Sequence, residues 1–273
     1  MSSNLTVIIS LHITDRADWF YEAAESVLNQ SVQPDKMLIT VDGQITDDHE
    51  QVIKQLVVSF PHIEIFRLNR TYNDRGAILG VAVESAQTKF VAIMDADDIS
   101  KIDRFEKQLS KLNSISDLDV VGSWVEEISP SDADYLCIRK VPESPPDVMK
   151  YSKLRNPVNN MTVMFRRESI IKAGNYRSML NFADYWLWVR LLGKGGQIAN
   201  IQESLVTARA AEGLALRRRG VTYAISEFRF YQQCYNEGYV GMLTTIRCLL
   251  LRLPTRFLPA FVFNHVVFRH LRN

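Results

Sequence analysis

The chain has 273 residues, of which 47% are hydrophobic and 23% charged, so it is able to bury the core of an ordinary globular protein. Its net charge of +1 argues against nucleic-acid binding, which usually requires a clearly basic domain or stripe. The three cysteines are odd in number, far apart and without metal-ligand spacing, which argues against a disulfide scaffold and favours a reducing cytoplasm.

The first half of the chain alternates short β-branched segments with longer segments of helical periodicity. Strands are predicted at residues 6–11, 36–41, 63–67, 89–94 and 120–125, and helices at residues 19–28, 52–60 and 77–86. This alternation is typical of βαβ units, so we predict an α/β fold with a mainly parallel central sheet. In such a sheet ligands bind beyond the carboxyl ends of the strands, where Asp42 and Asp95 stand.

The second half of the chain has fewer regular patterns. Residues 130–157 are rich in proline, serine and charge, which predicts a connecting or acceptor-side region. A further strand is predicted at residues 162–165, then a short helix up to residue 173 and another helix over residues 184–192. No stretch reaches the ~18 consecutive apolar residues that span a bilayer, and the N-terminus lacks the basic region and cleavage site of a secretory signal.

Three carboxylates follow the predicted strand at residues 89–94, in the sequence Asp95-Ala96-Asp97-Asp98. Carboxylates this close repel one another unless a cation joins them, and hard oxygen ligands suit Mg²⁺ or Mn²⁺. Both ions take further ligands from phosphates and water, so the pattern indicates a metal-diphosphate site. The alternative is a solvated turn that also caps a helix beginning near Asp103, because aspartate is favoured in turns and at helix N-termini.

Several short motifs follow one another along the chain. They are residues 7–10 and 26–30, Val41-Asp42-Gly43, Asn73-Asp74-Arg75-Gly76 and Asp95-Ala96-Asp97-Asp98, and then Asn156-Pro157, residues 161–166, 173–176 and 184–190, and Arg217-Arg218-Arg219-Gly220. Their content and order resemble family 2 glycosyltransferases, and in particular bacterial surface-polysaccharide transferases of the amylovoran and O-antigen type. The resemblance covers roughly residues 5–225 and implies a GT-A fold, the Rossmann-like fold of nucleotide-diphospho-sugar transferases.

The resemblance also implies a nucleotide-sugar site with Mn²⁺ or Mg²⁺ as cofactor. The nucleotide sugar would be contacted by Ser10, Asp42, Asn73, Gly76, Asp95, Ala96, Arg217 and Arg218. Asp42 would accept a hydrogen bond from the base, Asp95 would hold the ribose or the base, and Asp97 would ligate the metal together with Asp95. Simpler readings stay open, because Asp42 is also typical of a turn after a strand, Gly76 of a helix entry, and an arginine run of a solvated surface.

Asp184 is the catalytic base that the resemblance implies. It would take a proton from the acceptor hydroxyl on the face opposite the departing diphosphate, so that transfer inverts the anomeric centre. Stabilising the N-terminus of its own helix is a simpler and compatible role. Trp186 and Trp188 in the same helix are expected in the core rather than stacked on a sugar.

Two positions depart from the family pattern. Relatives usually carry a glutamate where this chain has Ala183, and many carry a histidine near Asn160. The first change removes a possible second acid, and the second alters a contact with the metal, the diphosphate or the acceptor. A catalytically silent sugar-nucleotide or glycolipid-binding protein of the same fold therefore remains an alternative function.

The C-terminal region has no acidic residue after Glu237, while its arginines alternate with leucine, phenylalanine and valine. This composition predicts a basic amphipathic helical tail over residues 226–273 that contacts a membrane. The arginines would meet anionic headgroups, at about 1 kcal/mol each, and the apolar side chains would enter the acyl boundary. The alternative is a helix packed on the domain.

Taken together, these features predict a glycosyltransferase domain over residues 1–225, with a donor half at 1–125 and an acceptor half at 126–225. It would move a sugar from a nucleoside-diphosphate sugar, in particular a UDP-sugar, to a lipid-linked oligosaccharide of a bacterial capsule, exopolysaccharide or O-antigen. We expect a cytoplasmic protein at the inner face of the plasma membrane. A nucleotidyltransferase is a weaker alternative, because the segment Ser10-Leu11-His12-Ile13-Thr14 lacks the glycine-rich, basic phosphate loop that such enzymes need.

Overall fold

The structure, a computed structural model, describes residues 2–68, 74–129, 132–209, 218–259 and 262, with the backbone alone at 132–135. Its strands are β1 (Leu5–Leu11), β2 (Lys36–Val41), β3 (Ile63–Arg67), β4 (Phe90–Asp95), β5 (Ile99–Ser100), β6 (Leu118–Ser129), β7 (Asp132–Arg139), β8 (Met164–Arg166) and β9 (Gln197–Arg209). Its helices are α1 (Ala17–Leu28), α2 (Asp47–Ser59), α3 (Arg75–Ser85), α4 (Arg104–Ser114), α5 (Pro145–Ser152), α6 (Arg167–Lys172), α7 (Ala183–Gly193), α8 (Gly220–Asn236) and α9 (Met242–Arg252). Two short 3-10 turns lie at Asn160–Thr162 and Leu253–Phe257.

The described strands form one nine-stranded sheet in the order β3-β2-β1-β4-β8-β6-β9-β5, with β7 paired to β6. Its first four strands are parallel, as are β6 and β9, whereas β5, β7 and β8 run antiparallel to their neighbours. The predicted α/β fold with a mainly parallel central sheet is confirmed. Because β1, β2 and β4 are parallel neighbours, their carboxyl ends lie at one edge of the sheet.

The two faces of the sheet bury different helices. Along β1, Val7 and Ile9 pack in one core cluster with side chains of α1, α2 and α4, while Ile8 between them packs in another with side chains of α3 and α7. This alternation follows from the two-residue period of a strand, and the near-continuous apolar sequence of β1 is typical of a strand buried on both faces.

Several sequence-based expectations are corrected by the structure. The strand expected at residues 162–165 begins at Met164, because Asn160–Thr162 forms a 3-10 turn. Residues 130–157 are not merely a connection, since they include the whole of β7 and of α5. Pro145 and Pro146 begin α5, where prolines are tolerated because N–H groups in a first turn have no partner within the helix.

The C-terminal helices pack on the rest of the protein through an aromatic cluster. Side chains of α7, α8 and α9 meet there, among them Trp186, Phe230 and Cys248. Trp186 and Trp188 are both buried, as expected. The predicted boundary between residues 225 and 226 falls inside α8, and the division into halves and tail stays a prediction.

A buried ion cluster fixes α8 to the segment after α9. Both carboxylate oxygens of Glu227 accept hydrogen bonds from Arg256, at 2.7 and 2.8 Å, and Arg252 donates a third at 3.2 Å. Two arginines expected to face lipid headgroups therefore point inward, towards an acid that precedes Glu237. Within the described part of the chain, no helix is long and apolar enough to cross a membrane.

Candidate active site

The site lies at the carboxyl edge of β1, β2 and β4. Ser10 of β1 stands in register with Asp95 of β4 on one side and with Thr40 of β2 on the other, and the Thr40 hydroxyl donates a hydrogen bond of 3.0 Å to Oγ of Ser10. Asp42 follows β2 directly and is buried, and the next residue, Gly43, has φ of +81°. The sheet thus brings Asp42 and Asp95 to one edge, as their positions at strand ends predict, and Ser10 of β1 lies at the same edge.

Three carboxylates converge in the acid turn, defined here as Asp95, Asp97 and Asp98. One oxygen from each lies within 4.8 Å of the others. Asp98 is buried, and its Oδ1 accepts a hydrogen bond of 3.2 Å from the backbone N–H of Arg209, whereas its Oδ2 has no hydrogen-bond partner among the described residues. Ala96, between them, is buried in the core.

The electrostatics of the acid turn favour a bound cation. Burial, followed by the charges of Asp95 and Asp15, raises the pKa of Asp97 to about 6. Burial also holds the pKa of Asp98 well above its usual range. Carboxylates that resist ionisation together are stabilised as anions when a divalent ion joins them. The three oxygen ligands, one of them orphaned and buried, fit a hard ion such as Mn²⁺ or Mg²⁺.

Arg209 at the end of β9 positions the acid turn. Its guanidinium donates a hydrogen bond of 2.7 Å to the carbonyl of Asp97, forms an ion pair with Glu22 and lies 5.1 Å from the ring centroid of Trp19. Its backbone N–H holds Asp98. The guanidinium therefore fixes the acid turn against α1, while the backbone of the same residue holds the Asp98 carboxylate.

A second buried guanidinium lies behind the acid turn. Arg104 donates hydrogen bonds to the carbonyl of Ile93, at 2.8 Å, and to Gln108, at 3.1 Å. Burial lowers the pKa of Arg104 to about 9, although the charges of Asp95 and Asp98 oppose this shift. The residue links β4, just before the acids, to the start of α4.

Arg75 connects the acid turn electrostatically to Asp184. At the start of α3, its guanidinium forms an ion pair with Asp95. The charge of Asp95 raises the pKa of Arg75 most, and the charges of Asp184 and Asp97 raise it further. Asp184, in the first turn of α7, and the acid turn are therefore both within electrostatic range of Arg75, although α3, α7 and β4 are far apart in sequence.

Asp184 is held by a side chain from the loop after α5. Asn156 donates a hydrogen bond of 2.8 Å to its Oδ2. Nearby, the hydroxyl of buried Tyr176 donates a hydrogen bond of 2.9 Å to Oδ1 of Asn160. Burial, and then the charge of Asp184, raises the pKa of Tyr176. Asn160, one of the two departures from the family pattern, is thus hydrogen-bonded to a tyrosine that lies within range of the charge of Asp184.

Gly76 has a structural reason to be glycine. A Cβ at this position would lie 2.3 Å from the carbonyl oxygen of Arg177 and 2.7 Å from Cβ of Ala183. Glycine therefore lets α3 approach the segment that leads into Asp184, and its contact with a nucleotide stays a prediction.

The backbone carbonyl of Arg218, a predicted site residue, accepts a hydrogen bond of 3.3 Å from Arg256. The predicted sites Asn73 and Arg217 lie outside the described residues.

The sequence match decides the family. The profile of Glycosyl transferase family 2 matches residues 6–172, more than half of the chain. The chain belongs to glycosyltransferase family 2. Asp42, Gly76 and the acid turn lie inside the matched residues of this glycosyltransferase, and Asp184 lies beyond them.

Two relatives resemble this glycosyltransferase over almost its whole length. A UDP-Gal:alpha-D-GlcNAc-diphosphoundecaprenol beta-1,3-galactosyltransferase of Escherichia coli is 32% identical over 270 residues, which are 97% of each chain. The amylovoran biosynthesis glycosyltransferase AmsE of Erwinia amylovora is 29% identical over 257 residues, 94% of this chain and 95% of that one.

Solved structures of low sequence identity share the fold. S. aureus TarS 1-349 in complex with UDP-GlcNAc has a TM-score of 0.68 at 15% identity, covering 98% of this chain and 75% of that one. The mannosyltransferase PcManGT of Pyrobaculum calidifontis, in complex with GDP-Man and Mn²⁺, has a TM-score of 0.68 at 13% identity with the same coverage. The predicted GT-A fold of the glycosyltransferase is thereby confirmed.

Among the residues at the site that were not predicted from the sequence are Asp15, Arg75, Asn156 and Arg209. Arg75 and Asn156 stand inside motifs that carry the resemblance, although those motifs alone assign them no role. Asp15 and Arg209 stand outside those motifs. Arg209 ends a strand whose central residues Gln202 and Glu203 interrupt the apolar pattern, which hides the strand and its terminal arginine.

Proposed function

We propose that this glycosyltransferase transfers a sugar from a UDP-sugar to a hydroxyl group of a lipid-linked saccharide, with inversion at the anomeric carbon. The observation that carries the proposal is the electrostatic link through Arg75, which is paired with Asp95 and lies within the field of both Asp97 and Asp184. An acid turn able to hold a cation, and a separate carboxylate within electrostatic range of the same arginine, are the two parts that an inverting transfer needs.

In the proposed reaction, Asp184 takes the proton of the acceptor hydroxyl while that oxygen forms a bond to the anomeric carbon. The bond between this carbon and the diphosphate oxygen breaks, and the diphosphate leaves with the electron pair. Asp97, Asp98 and Asp95 would hold Mn²⁺ or Mg²⁺, which neutralises charge growing on a diphosphate. Asn156 leaves one oxygen of Asp184 for the incoming proton, since it donates only to Oδ2.

The identity of donor and acceptor rests on relatives and neighbours. The name of the Escherichia coli relative describes transfer from UDP-Gal to a GlcNAc-diphosphoundecaprenol acceptor, and TarS was solved with UDP-GlcNAc. PcManGT was solved with Mn²⁺. By analogy we assign a UDP-sugar, a divalent ion and a lipid-linked acceptor in capsule, exopolysaccharide or O-antigen synthesis, at the inner face of the plasma membrane.

The test compares the full-length protein with its Asp184→Asn variant, using UDP-sugars and Mn²⁺. We expect nucleotide release to fall roughly 100- to 10,000-fold in the variant, because general base catalysis contributes about that much, while donor binding by calorimetry is retained. The exposed Asp147, also in the first turn of a helix, provides the control variant Asp147→Asn, which should keep full activity.

Three outcomes would contradict the proposal. Full activity of Asp184→Asn would remove its role as the base. A wild-type protein that binds donors but never releases nucleotide in the presence of lipid-linked acceptors would support the catalytically silent alternative. Retention of the donor's anomeric configuration in the product, measured by NMR spectroscopy, would exclude a single inverting step.

A further inference from the structure

Helix α9 turns most of its apolar side chains towards solvent. Leu243, Leu250 and Leu251 are 81%, 70% and 65% exposed, whereas the buried residues of the helix are Thr245 and Cys248. An amphipathic helix packed on a soluble domain normally shows the opposite arrangement, with its leucines inward. This exposed apolar surface is typical of an interaction site. We call it the outer face of α9 and define it as Met242, Leu243, Ile246, Arg247, Leu250 and Leu251.

The orientation of α9 is fixed by contacts on its inner side. Cys248 is buried in the aromatic cluster with side chains of α7 and α8. At the end of the helix, Arg252 donates hydrogen bonds to buried Glu227, at 3.2 Å, and to the carbonyl of Leu154, at 2.6 Å. A rotation that buried the leucines would break these contacts and leave the Glu227 carboxylate short of a partner, which is costly in the interior.

The charge of this surface selects its partner. Arg247 is exposed and lies on the same helical stripe as Leu243 and Leu250, four residues after one and three before the other. No acidic residue follows Glu237 in the sequence, so nothing on α9 itself opposes that charge. Leucines and an arginine on one exposed face are the pattern of a helix that lies in the plane of an anionic lipid surface.

We propose that the outer face of α9 docks on a membrane surface containing anionic phospholipid, with the leucines in the acyl boundary and Arg247 at the phosphates. This differs from the sequence-based expectation, in which the arginines as a group meet the headgroups, because Arg252 and Arg256 are engaged with Glu227. The reason for docking rests on the proposed function, since a lipid-linked acceptor resides in a membrane. The docking itself needs no donor and is tested without one.

The experiment is flotation of the full chain with vesicles of phosphatidylcholine containing phosphatidylglycerol, and with phosphatidylcholine alone. We expect the protein to float with the anionic vesicles and to be released by salt, which screens the headgroup charge. Leu243→Glu and Leu250→Glu should each lower the vesicle-bound fraction roughly tenfold or more. Val58→Glu is the matched control, because Val58 on α2 is 87% exposed and should not affect flotation.

Melting temperature and nucleotide release without vesicles should be the same in wild type and Leu243→Glu, so a lost activity and a lost docking surface are told apart. Arg247→Gln should weaken binding to anionic vesicles and leave binding to neutral ones unchanged. Wild-type protein that stays in solution with anionic vesicles, or Leu243→Glu that floats like wild type, would overturn the proposal. A dimer seen by light scattering that dissociates in Leu243→Glu, without flotation, would assign the face to a second copy of the chain.

Discussion

The side-chain amide of Asn156 donates a hydrogen bond of 2.8 Å to Oδ2 of Asp184. This contact joins the loop after α5 to the first turn of α7, and among the described residues it is the hydrogen bond that orients the carboxylate. Positioning of the proposed base therefore depends on a residue that is distant in sequence and that has no chemistry of its own in the transfer.

Replacing Asn156 by alanine should lower kcat roughly tenfold to a hundredfold, because a hydrogen bond to a charged group contributes about 1.5 to 3 kcal/mol. Asn156→Asp should also move the acidic limb of the pH–rate profile to higher pH, since a second carboxylate favours the protonated base. Nucleotide release between about pH 5 and 9 measures both effects. Exposed Asn113→Ala is the control, and an unchanged kcat and pH profile in both Asn156 variants would remove the positioning role.

Asp97 should make the metal-free protein sensitive to pH. Its pKa is raised to about 6 in the folded protein, so its contribution to stability is present below its ordinary pKa of 3.8 and is lost as the pH rises through about 6. Asp97→Asn should therefore raise the melting temperature of the metal-free protein at about pH 7.5 more than at about pH 4.

Addition of Mn²⁺ should reverse this penalty in the wild type. We expect a rise in melting temperature that is larger at about pH 7.5 than at about pH 5, where protons compete for the carboxylates, and that is absent in Asp97→Asn. Differential scanning fluorimetry with and without chelator measures it. An equal Mn²⁺ effect in the variant would show that Asp97 is not a ligand.

Gly76→Ala should disturb the approach to Asp184. The new Cβ would lie 2.3 Å from a backbone oxygen, that of Arg177, so the backbone must move. Overpacking costs about 1 to 3 kcal/mol, which equals or exceeds the ~1 kcal/mol that alanine gains over glycine in a helix. Lower kcat with a lower melting temperature is expected, while Gly241→Ala, where nothing lies within 4 Å, should do neither. Equal behaviour of the two variants would contradict the packing argument.

Glu227→Gln should loosen the C-terminal helices. The substitution leaves two guanidinium groups facing a neutral side chain in the interior, and breaking a buried ion pair costs about 3 to 5 kcal/mol. The control is Glu168→Gln, which removes an exposed pair with Lys172 and should change unfolding free energy by less than about 1 kcal/mol. Chemical denaturation measures both variants, and similar small effects would mean that the Glu227 cluster is not stabilising.

The parallel half of the fold could be predicted from the sequence, because the local hydrophobic periodicity of its strands and helices agrees with the tertiary structure. β2 and β3 begin and end where β-branched periodicity predicted, and β4 differs only in starting at Phe90 and including Asp95. By contrast β9 was not predicted, although it spans Gln197–Arg209 and pairs with most of β6. Register shifts near Trp124 and polar residues in the middle of β9 interrupt the two-residue period on which the prediction depends.

The candidate site was predictable only where its residues follow strands or stand in motifs. The acid turn and Asp184 were singled out in that way, whereas their roles stay predictions. Arg209 and the partners of Glu227 could not be found, since each contact joins residues far apart in sequence and carries no local pattern. The basic C-terminal sequence suggested unpaired arginines because Glu227 precedes the segment in which acids are missing.

Ser10 of β1 pairs with Thr40 of β2 on one side and with Asp95 of β4 on the other. Two strand spacings, roughly 10 Å in all, separate the ends of β2 and β4, and backbone hydrogen bonds set that distance. Residues 43–45 follow β2 and precede Thr46, the residue that caps α2, so exchanging them leaves those backbone hydrogen bonds in place. We expect that grafting this loop from a transferase with another nucleobase would alter the base accepted and leave the geometry of sugar transfer intact.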